Sequence, residues 1–433
     1  MRKVAFFTLG CRVNQYETEA MSEAFLKKGY TIVDFDDFAD IYIINTCTVT
    51  NVGDKKSRQM IRKSKKINPD AVVAVAGCYA QVAPDEVASI EGVDVVVGTS
   101  DKGKIVDLVE KFLAEKKQIK HVENIMTIRE FEDLEIDEYQ DKTRAFLKIQ
   151  DGCDRFCSYC LIPYARGPVR SKRPEKIVRE VQKLVENGFK EIILSGIHVA
   201  SYGRDLGNIN LVDIIEKLDK FENLKRIRIG SVDPTFFTDE VIERLSKIEK
   251  LCHHFHLSLQ SGCNNTLKRM NRHYTTEEYE IIVNKLRETF SDVSITTDII
   301  VGFPGETEEE FNETFEFLKR LKLAKMHIFK YSPRKGTKAA TFNEQVAPEI
   351  KDKRSKLLIE LDEKNEKEFT NKFLNKRMDV LFEETKNGYS KGYTKNYIKV
   401  QVQSAKDLSG EIIDDILLSK IDNDGTVIGK IGL

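Results

Sequence analysis

Residues 144–160 read Arg-Ala-Phe-Leu-Lys-Ile-Gln-Asp-Gly-Cys-Asp-Arg-Phe-Cys-Ser-Tyr-Cys, an apolar run followed at once by the C-x3-C-x2-C triplet Cys153, Cys157 and Cys160. The run reads as a β-strand delivering three thiols to its carboxyl end. Soft sulfur donors at this density suit an iron–sulfur cluster or zinc, and an electron-carrier cluster is normally closed by a fourth cysteine. The next cysteine is Cys252. An incomplete set keeps one metal position open, which chemistry on a bound ligand requires and storage does not. The other reading is a zinc knuckle completed by a distant histidine.

Working outward, apolar runs recur at 190–195, 225–230, 254–259, 294–301 and 325–330, separated by helical segments, notably 174–187, 276–289 and 307–320. Alternation of this kind builds a parallel sheet. Six βα units are too few to close an eight-stranded barrel, so the expectation for 144–346 is a partial (β/α)6 barrel with its site at the carboxyl ends of the strands.

Residues 1–116 carry a second alternation, with strands at Val4–Phe7, Ile41–Ile44, Val72–Val75 and Val93–Val97. Cys11, Cys47 and Cys78 each fall just past one of the first three runs. Ligands bind along that edge of an open parallel sheet, so a shared metal site is a reading beside that of three structural cysteines. Residues 117–143 read as a linker, solvated because its centre Glu130–Asp141 is acidic. A charged helix at 347–370, entered through Pro348, connects to a small all-β module at 371–433 whose runs are broken by Asn387-Gly388, Ser409-Gly410 and Asp424-Gly425. The fold class is therefore α/β with an all-β C-terminal barrel.

The chain has 433 residues, 41% hydrophobic and 32% charged, with a net charge of -1. This describes a soluble multidomain protein, and any basic surface must be local. No stretch approaches the roughly 18 apolar residues of a membrane helix. Eight cysteines, three of them clustered, with no recognisable secretion signal point to a reducing cytoplasmic setting.

The triplet resembles that of the radical S-adenosylmethionine (SAM) superfamily. Thr8–Glu19 (Thr-Leu-Gly-Cys-Arg-Val-Asn-Gln-Tyr-Glu-Thr-Glu), Asn45–Val49 (Asn-Thr-Cys-Thr-Val) and Ala76–Gln81 (Ala-Gly-Cys-Tyr-Ala-Gln) are similar to motifs of its methylthiotransferase family. This resemblance implies two 4Fe-4S clusters, one on Cys153, Cys157 and Cys160 and an auxiliary one on Cys11, Cys47 and Cys78, each with an open iron. It implies a TRAM-type RNA-binding module at the C-terminus. It places Tyr159 near the adenine of SAM and Gln260, Gly302 and Gly305 around that cofactor, with Ser195 and Gly196 weaker candidates. The implied reaction inserts sulfur and a methyl group at C2 of a modified adenosine beside the anticodon. One SAM methylates sulfur at the auxiliary cluster, and the other is cleaved to a 5'-deoxyadenosyl radical. The implied partners are a tRNA anticodon stem-loop, an electron donor of flavodoxin or ferredoxin type and a sulfur donor. Gly10–Glu19 and Lys148–Cys157 look most like the branch acting on N6-threonylcarbamoyladenosine. Alternatives are the isopentenyladenosine and ribosomal-protein branches and, outside enzymes, an RNA-binding iron–sulfur sensor.

Several other motifs allow two readings. Arg272 could meet a carboxylate through a bidentate fork, or be solvated. Cys252-His-His-Phe-His256 invites zinc, yet it enters a barrel strand and lacks the spacing of zinc sets. Cys263 reads as a spare thiol, and His198 as a lone candidate for substrate contact. The basic runs Lys55–Lys66 and Arg166, Arg170, Lys172 and Arg173 leave from the cysteine loops, as phosphate contacts or as solvated faces. In the last module Lys386, Lys391, Lys395 and Lys399 interleave with Tyr389, Tyr393 and Tyr397, a pattern that fits backbone contact with base stacking or an ordinary two-faced sheet.

Overall fold

A computed structural model describes residues 1–48, 51–134, 136 and 143–432. The N-terminal sheet is wholly parallel, in the order β2-β1-β3-β4-β5-β6, from β1 (Lys3–Thr8), β2 (Thr31–Val33), β3 (Ile41–Thr46), β4 (Val72–Gly77), β5 (Val95–Val97) and β6 (Ile119–His121). Its central strands are buried on both faces. One apolar layer packs around Phe25, Ile43 and Val109, the other around Ile44, Ile61 and Val75. That two-sided burial explains the uninterrupted apolar runs.

The sequence reading missed β2 and β6, each only three residues long. β6 lies inside the expected linker, so the first sheet continues past residue 116. Nor is the described part of that segment solvated throughout: Glu123, Met126 and Glu130 are exposed, but the segment is anchored further on. Leu134 and Ile136 are buried, the Tyr16 hydroxyl donates to the Leu134 carbonyl at 2.8 Å, and Asp133 pairs with Lys172 and Lys176. Of the described acidic residues, Asp133 thus serves lysines and Glu132 accepts from the Gly103 N–H, while Glu130 is exposed. Residues 135 and 137–142 of this stretch lie outside the described residues, as does Val49 of the second cysteine motif.

The second unit contains β7 (Arg144–Asp151), β8 (Arg170–Ser171), β9 (Glu191–Gly196), β10 (Arg226–Ile229), β11 (His254–His256), β12 (Ser294–Val301) and β13 (Lys325–Lys330). β7, β9 and β10 pair in parallel, as do β11, β12 and β13. The parallel bridges Ile227↔Leu251 and Val232↔Leu257 join the two groups. The result is a six-stranded open barrel, with the two-residue β8 antiparallel on β7. Its helices carry their own start signals: Thr275 and Thr307 each form a capping box with the glutamate three residues on.

The helix Pro348–Asn371 leads into a closed barrel of β14 (Arg377–Lys386), β15 (Tyr389–Thr394), β16 (Lys399–Gln403), β17 (Ile412–Ile421) and β18 (Val427–Lys430), consistent with a TRAM-type module. Asn387 and Gly388 both have positive φ, as a tight two-residue hairpin requires. No helix among the described residues is long and apolar enough to cross a membrane.

Candidate functional site: two cysteine sets joined by one arginine

Cys153, Cys157 and Cys160 follow β7 and line one cleft of about 360 Å³ at the carboxyl end of the barrel strands. Gly152 starts the loop at φ +76°, where a Cβ would sit 1.9 Å from the Pro168 carbonyl oxygen. Only glycine permits that approach. The loop is then fixed by backbone bonds from Cys153 to Gly167 and from Ser158 to Met270, both 3.0 Å, while Asn271 Nδ2 donates to the carbonyl of Phe156, itself left-handed at φ +48°.

Burial pushes the Cys153 thiol up to about 11 and the Cys160 thiol up to about 12. A cationic cluster that holds them as thiolates offsets that cost. Polar hydrogens already point at the sulfurs: Ile162 N–H lies 3.4 Å from Cys160 Sγ, and Arg272 Nη1 lies 3.4 Å from Cys157 Sγ. No fourth cysteine lines the cleft among the described residues. The donor set fits a cluster with one open iron.

Tyr159, Gln260 and Arg272 all line this cleft, and so does His198. Gln260 adopts φ +75°, a conformation uncommon outside glycine and asparagine, with its N–H on the Asp298 carbonyl. Arg272 is not a free fork. Its guanidinium also contacts the Tyr274 hydroxyl at 2.9 Å, Asp233 at 3.3 Å and the Ser258 carbonyl at 3.0 Å, so it builds the cleft wall. Asp233, which sequence reasoning missed, gathers Arg272, Arg155 and Thr235 at that wall.

The remaining expected contacts lie elsewhere. Ser195 faces the deeper barrel lumen. A Cβ on Gly196 would meet Gln150, one on Gly302 would meet Lys351 at 2.3 Å, and one on Gly305 would meet Glu344 at 3.1 Å. In this structure these three glycines allow close packing of neighbouring segments, and none lines the cleft.

Cys11, Cys47 and Cys78 follow β1, β3 and β4, which are adjacent in the sheet and end in register at Thr8↔Asn45 and Thr46↔Gly77. Two asparagines from the motifs stitch the loops together. Asn14 Nδ2 donates to the carbonyls of Leu9 and Thr46, and Asn45 Nδ2 to that of Asn14. Gly77, at φ +99°, passes so close to Asn45 and Thr46 that a Cβ would lie 2.6 Å from each. Three thiols at one sheet edge, with no disulfide between them, fit a second cluster.

The five-residue helix Ile162–Arg166 connects the two sets. It begins two residues after Cys160, and from its end Arg166 Nε reaches 3.3 Å from Cys78 Sγ. The same guanidinium donates to Asn14 Oδ1 at 2.6 Å and to Glu17 at 2.5 and 3.0 Å. Glu17 is fully buried and also accepts from Lys102 and Lys148. Burial pushes its carboxyl up, but Arg166, Lys102 and Lys148 outweigh that and hold it well below the usual carboxylate range.

For most of the second basic run this corrects both readings, phosphate contacts and solvated faces. Arg166, Arg170 and Lys172 are buried and paired with Glu17, Asp151 and Glu180, and only Arg173 is exposed. On Asn51–Ile67, by contrast, Met60, Ile61 and Ser64 are buried while Lys55, Arg62 and Lys66 face outward. Cys252 and Cys263 are buried, and neither lines the cysteine cleft.

A six-stranded open barrel carrying three cysteines past its first strand defines a radical SAM protein, and the model of the radical SAM superfamily matches residues 147–318. The uncharacterized protein family UPF0004 matches residues 3–98. A radical SAM methyltransferase, TsrM from Kitasatospora setae, solved with cobalamin and a 4Fe-4S cluster, has a similar fold, with a TM-score of 0.57 and 15% identity over 78% of this chain and 74% of that one. More specifically, the chain belongs to the methylthiotransferase family. It is 46% identical over 423 residues to the threonylcarbamoyladenosine tRNA methylthiotransferase MtaB of Bacillus subtilis, covering 95% of this chain and 93% of the relative. The protein of that name from Aquifex aeolicus is 45% identical, over 88% and 92%.

Proposed function

We propose that this enzyme is a tRNA methylthiotransferase that acts at C2 of N6-threonylcarbamoyladenosine beside the anticodon. The observation that carries the reading is the pairing of two three-cysteine sets through one short helix, in a chain so similar to the relatives of that activity. Cys153, Cys157 and Cys160 hold one 4Fe-4S cluster, and Cys11, Cys47 and Cys78 hold the other. When bound, these groups supply reductive SAM cleavage at the first set and the sulfur to be transferred at the second.

The chain's own contribution is placement. Arg272 directs an N–H at Cys157 and braces the wall through Asp233, while Tyr159 and Gln260 bound the space for SAM. Arg166 ties the loop after Cys160 to Cys78, so the two sets cannot drift apart without breaking buried ion pairs. The tRNA meets the exposed lysines of Asn51–Ile67 and the β14–β15 hairpin around Tyr389. A flavodoxin- or ferredoxin-type reductant and a sulfur donor complete the cytoplasmic reaction.

The test is mass spectrometry of tRNA nucleosides from cells with and without the gene, complemented separately by Cys153→Ala and Cys47→Ala. Loss of the 2-methylthio derivative of threonylcarbamoyladenosine in the deletion, restored by neither variant, is expected. Loss of the isopentenyl derivative instead would assign the other tRNA branch.

A further inference from the structure

Behind the cysteine cleft the barrel lumen opens into a cavity of about 560 Å³, and Ser231 and Asp298 line both spaces. Three side chains on its wall have no part in the function above. His256 on β11, Asp298 on β12 and His327 on β13 come from neighbouring parallel strands, where His256 is opposite Thr296 and Asp298 opposite His327. Residues two apart on a strand share a face, so the register brings all three onto the lumen side.

His256 Nε2 is 3.2 Å from Asp298 Oδ2, and the three ligand atoms all lie within 4.8 Å of one another. Donors bound to one metal at about 2.1 Å stand roughly 3.0–3.4 Å apart, so the first pair is already at ligand spacing and the His327 ring closes the set by a small movement. The other ring nitrogen of His256, Nδ1, is 2.9 Å from Thr296 Oγ1. A donated Nδ1–H there leaves the Nε2 lone pair directed at Asp298, the outer-shell arrangement that metal-bound histidines use.

A His–Asp ion pair accounts for two of these residues and leaves His327 unexplained. The neighbouring cations are already committed. Arg228 is held by Glu191 at 2.8 Å, and Lys325 by Asp362 and Glu366. Among the described residues Asp298 has no lysine or arginine partner.

We infer that His256, Asp298 and His327 form a divalent transition-metal site in the barrel lumen, separate from both cysteine sets. Two imidazoles and one carboxylate suit Zn²⁺ or Fe²⁺ and leave further positions open toward the cavity. The sequence concealed this site, because the ligands sit on three strands and only His256 belongs to the Cys252–His256 segment whose local spacing speaks against zinc.

The test uses full-length protein with both clusters reconstituted under anaerobic conditions, so that the thiols are occupied, then equilibrated with Zn²⁺, desalted and analysed for zinc and iron. Wild type is expected to retain one zinc per chain. Asp298→Asn and His327→Ala are each expected to lose it at unchanged iron content, and Thr296→Val to bind roughly 10- to 100-fold more weakly. His253→Ala, whose side chain pairs with Asp292 instead, should bind as wild type does. His327 is on the exposed edge strand, so its truncation does not threaten the fold. Substitution with Co²⁺ should give visible bands without thiolate charge transfer. Zinc retained in both ligand variants, no zinc in wild type, or a thiolate band with Co²⁺ would each overturn the assignment.

Discussion

Arg166 Nε lies 3.3 Å from Cys78 Sγ although 88 residues separate them, and this contact is where the chemistry of the two sheets meets. The guanidinium is fully buried and shares Glu17 with Lys102 and Lys148. Removing one member of a buried ion network leaves an uncompensated charge, at a cost of about 3–5 kcal/mol. Arg166→Gln is therefore expected to lower the unfolding free energy by about 3 kcal/mol in urea titrations. It should also deplete iron at the N-terminal set, read in a background where Cys153, Cys157 and Cys160 are all alanine. Unchanged iron there would mean that Arg166 is a structural tie and nothing more.

Gly152 offers a sharper contrast, because another glycine shares its backbone but not its surroundings. Gly29 has φ +83° with no atom within 4 Å of a built Cβ, whereas Gly152 at φ +76° would drive a Cβ into the Pro168 carbonyl. Gly29→Ala should cost only the left-handed penalty, about 1–2 kcal/mol. Gly152→Ala must also displace the Gly167–Pro168 peptide that anchors Cys153 N–H, and is expected to abolish 5'-deoxyadenosine formation from SAM with a chemical reductant. Equal stability and equal SAM cleavage in the two variants would refute this account of the loop.

How much of this was legible in the sequence follows from where each residue finds its partners. Ser294–Val301 and Lys325–Lys330 were readable to the residue, since strand boundaries there depend on local pattern and Thr307 supplies its own cap. The three-residue β2 and β6 carry too little pattern to be seen. The six cysteines were legible as motifs, yet Arg166 read as a phosphate contact or a solvated side chain because its carboxylate partners, Glu17 and Asp151, lie in other segments. The C-terminal tyrosines were ambiguous for the same reason: an alternating strand reveals that it has two faces, not which of them docks.

Those tyrosines separate by position. Tyr397 stacks on Tyr393 at 4.7 Å and on His254 of β11 at 4.6 Å, with Arg228 over its ring at 4.6 Å, while Tyr389 is 44% exposed. Tyr397→Ala should lower the melting temperature by loosening the module from the barrel. Tyr389→Ala should leave melting unchanged and weaken binding of an anticodon stem-loop roughly 10-fold, the value of one lost stacking contact. Fluorescence anisotropy beside thermal melts would distinguish them, and a reversed pattern would place RNA on the Tyr397 face.

The same junction carries a pH dependence whose sign is fixed. Glu191 is buried at the start of β9, accepting from Arg228 Nε at 2.8 Å with Arg226 at 3.6 Å. Burial raises its carboxyl, but Arg228, Arg226 and Arg144 pull it below the ordinary glutamate value. A depressed folded-state pKa stabilises the fold fully above the unfolded value, near 4.3, and the contribution is lost as pH falls through the lower folded value. Glu191→Gln is accordingly expected to cost about 3 kcal/mol at pH 7, with the gap from wild type narrowing below about pH 4.3. Both arginines also hold the last barrel, Arg226 through Asp379 and the Tyr393 carbonyl at 2.8 Å each, and Arg228 through the Lys395 carbonyl at 3.1 Å. The variant should therefore be cut faster by protease between the helix ending at Asn371 and β14. A pH-independent stability gap would show that Glu191 is not charged in the folded protein, and an unchanged cleavage rate would show that the arginines hold the barrel without it.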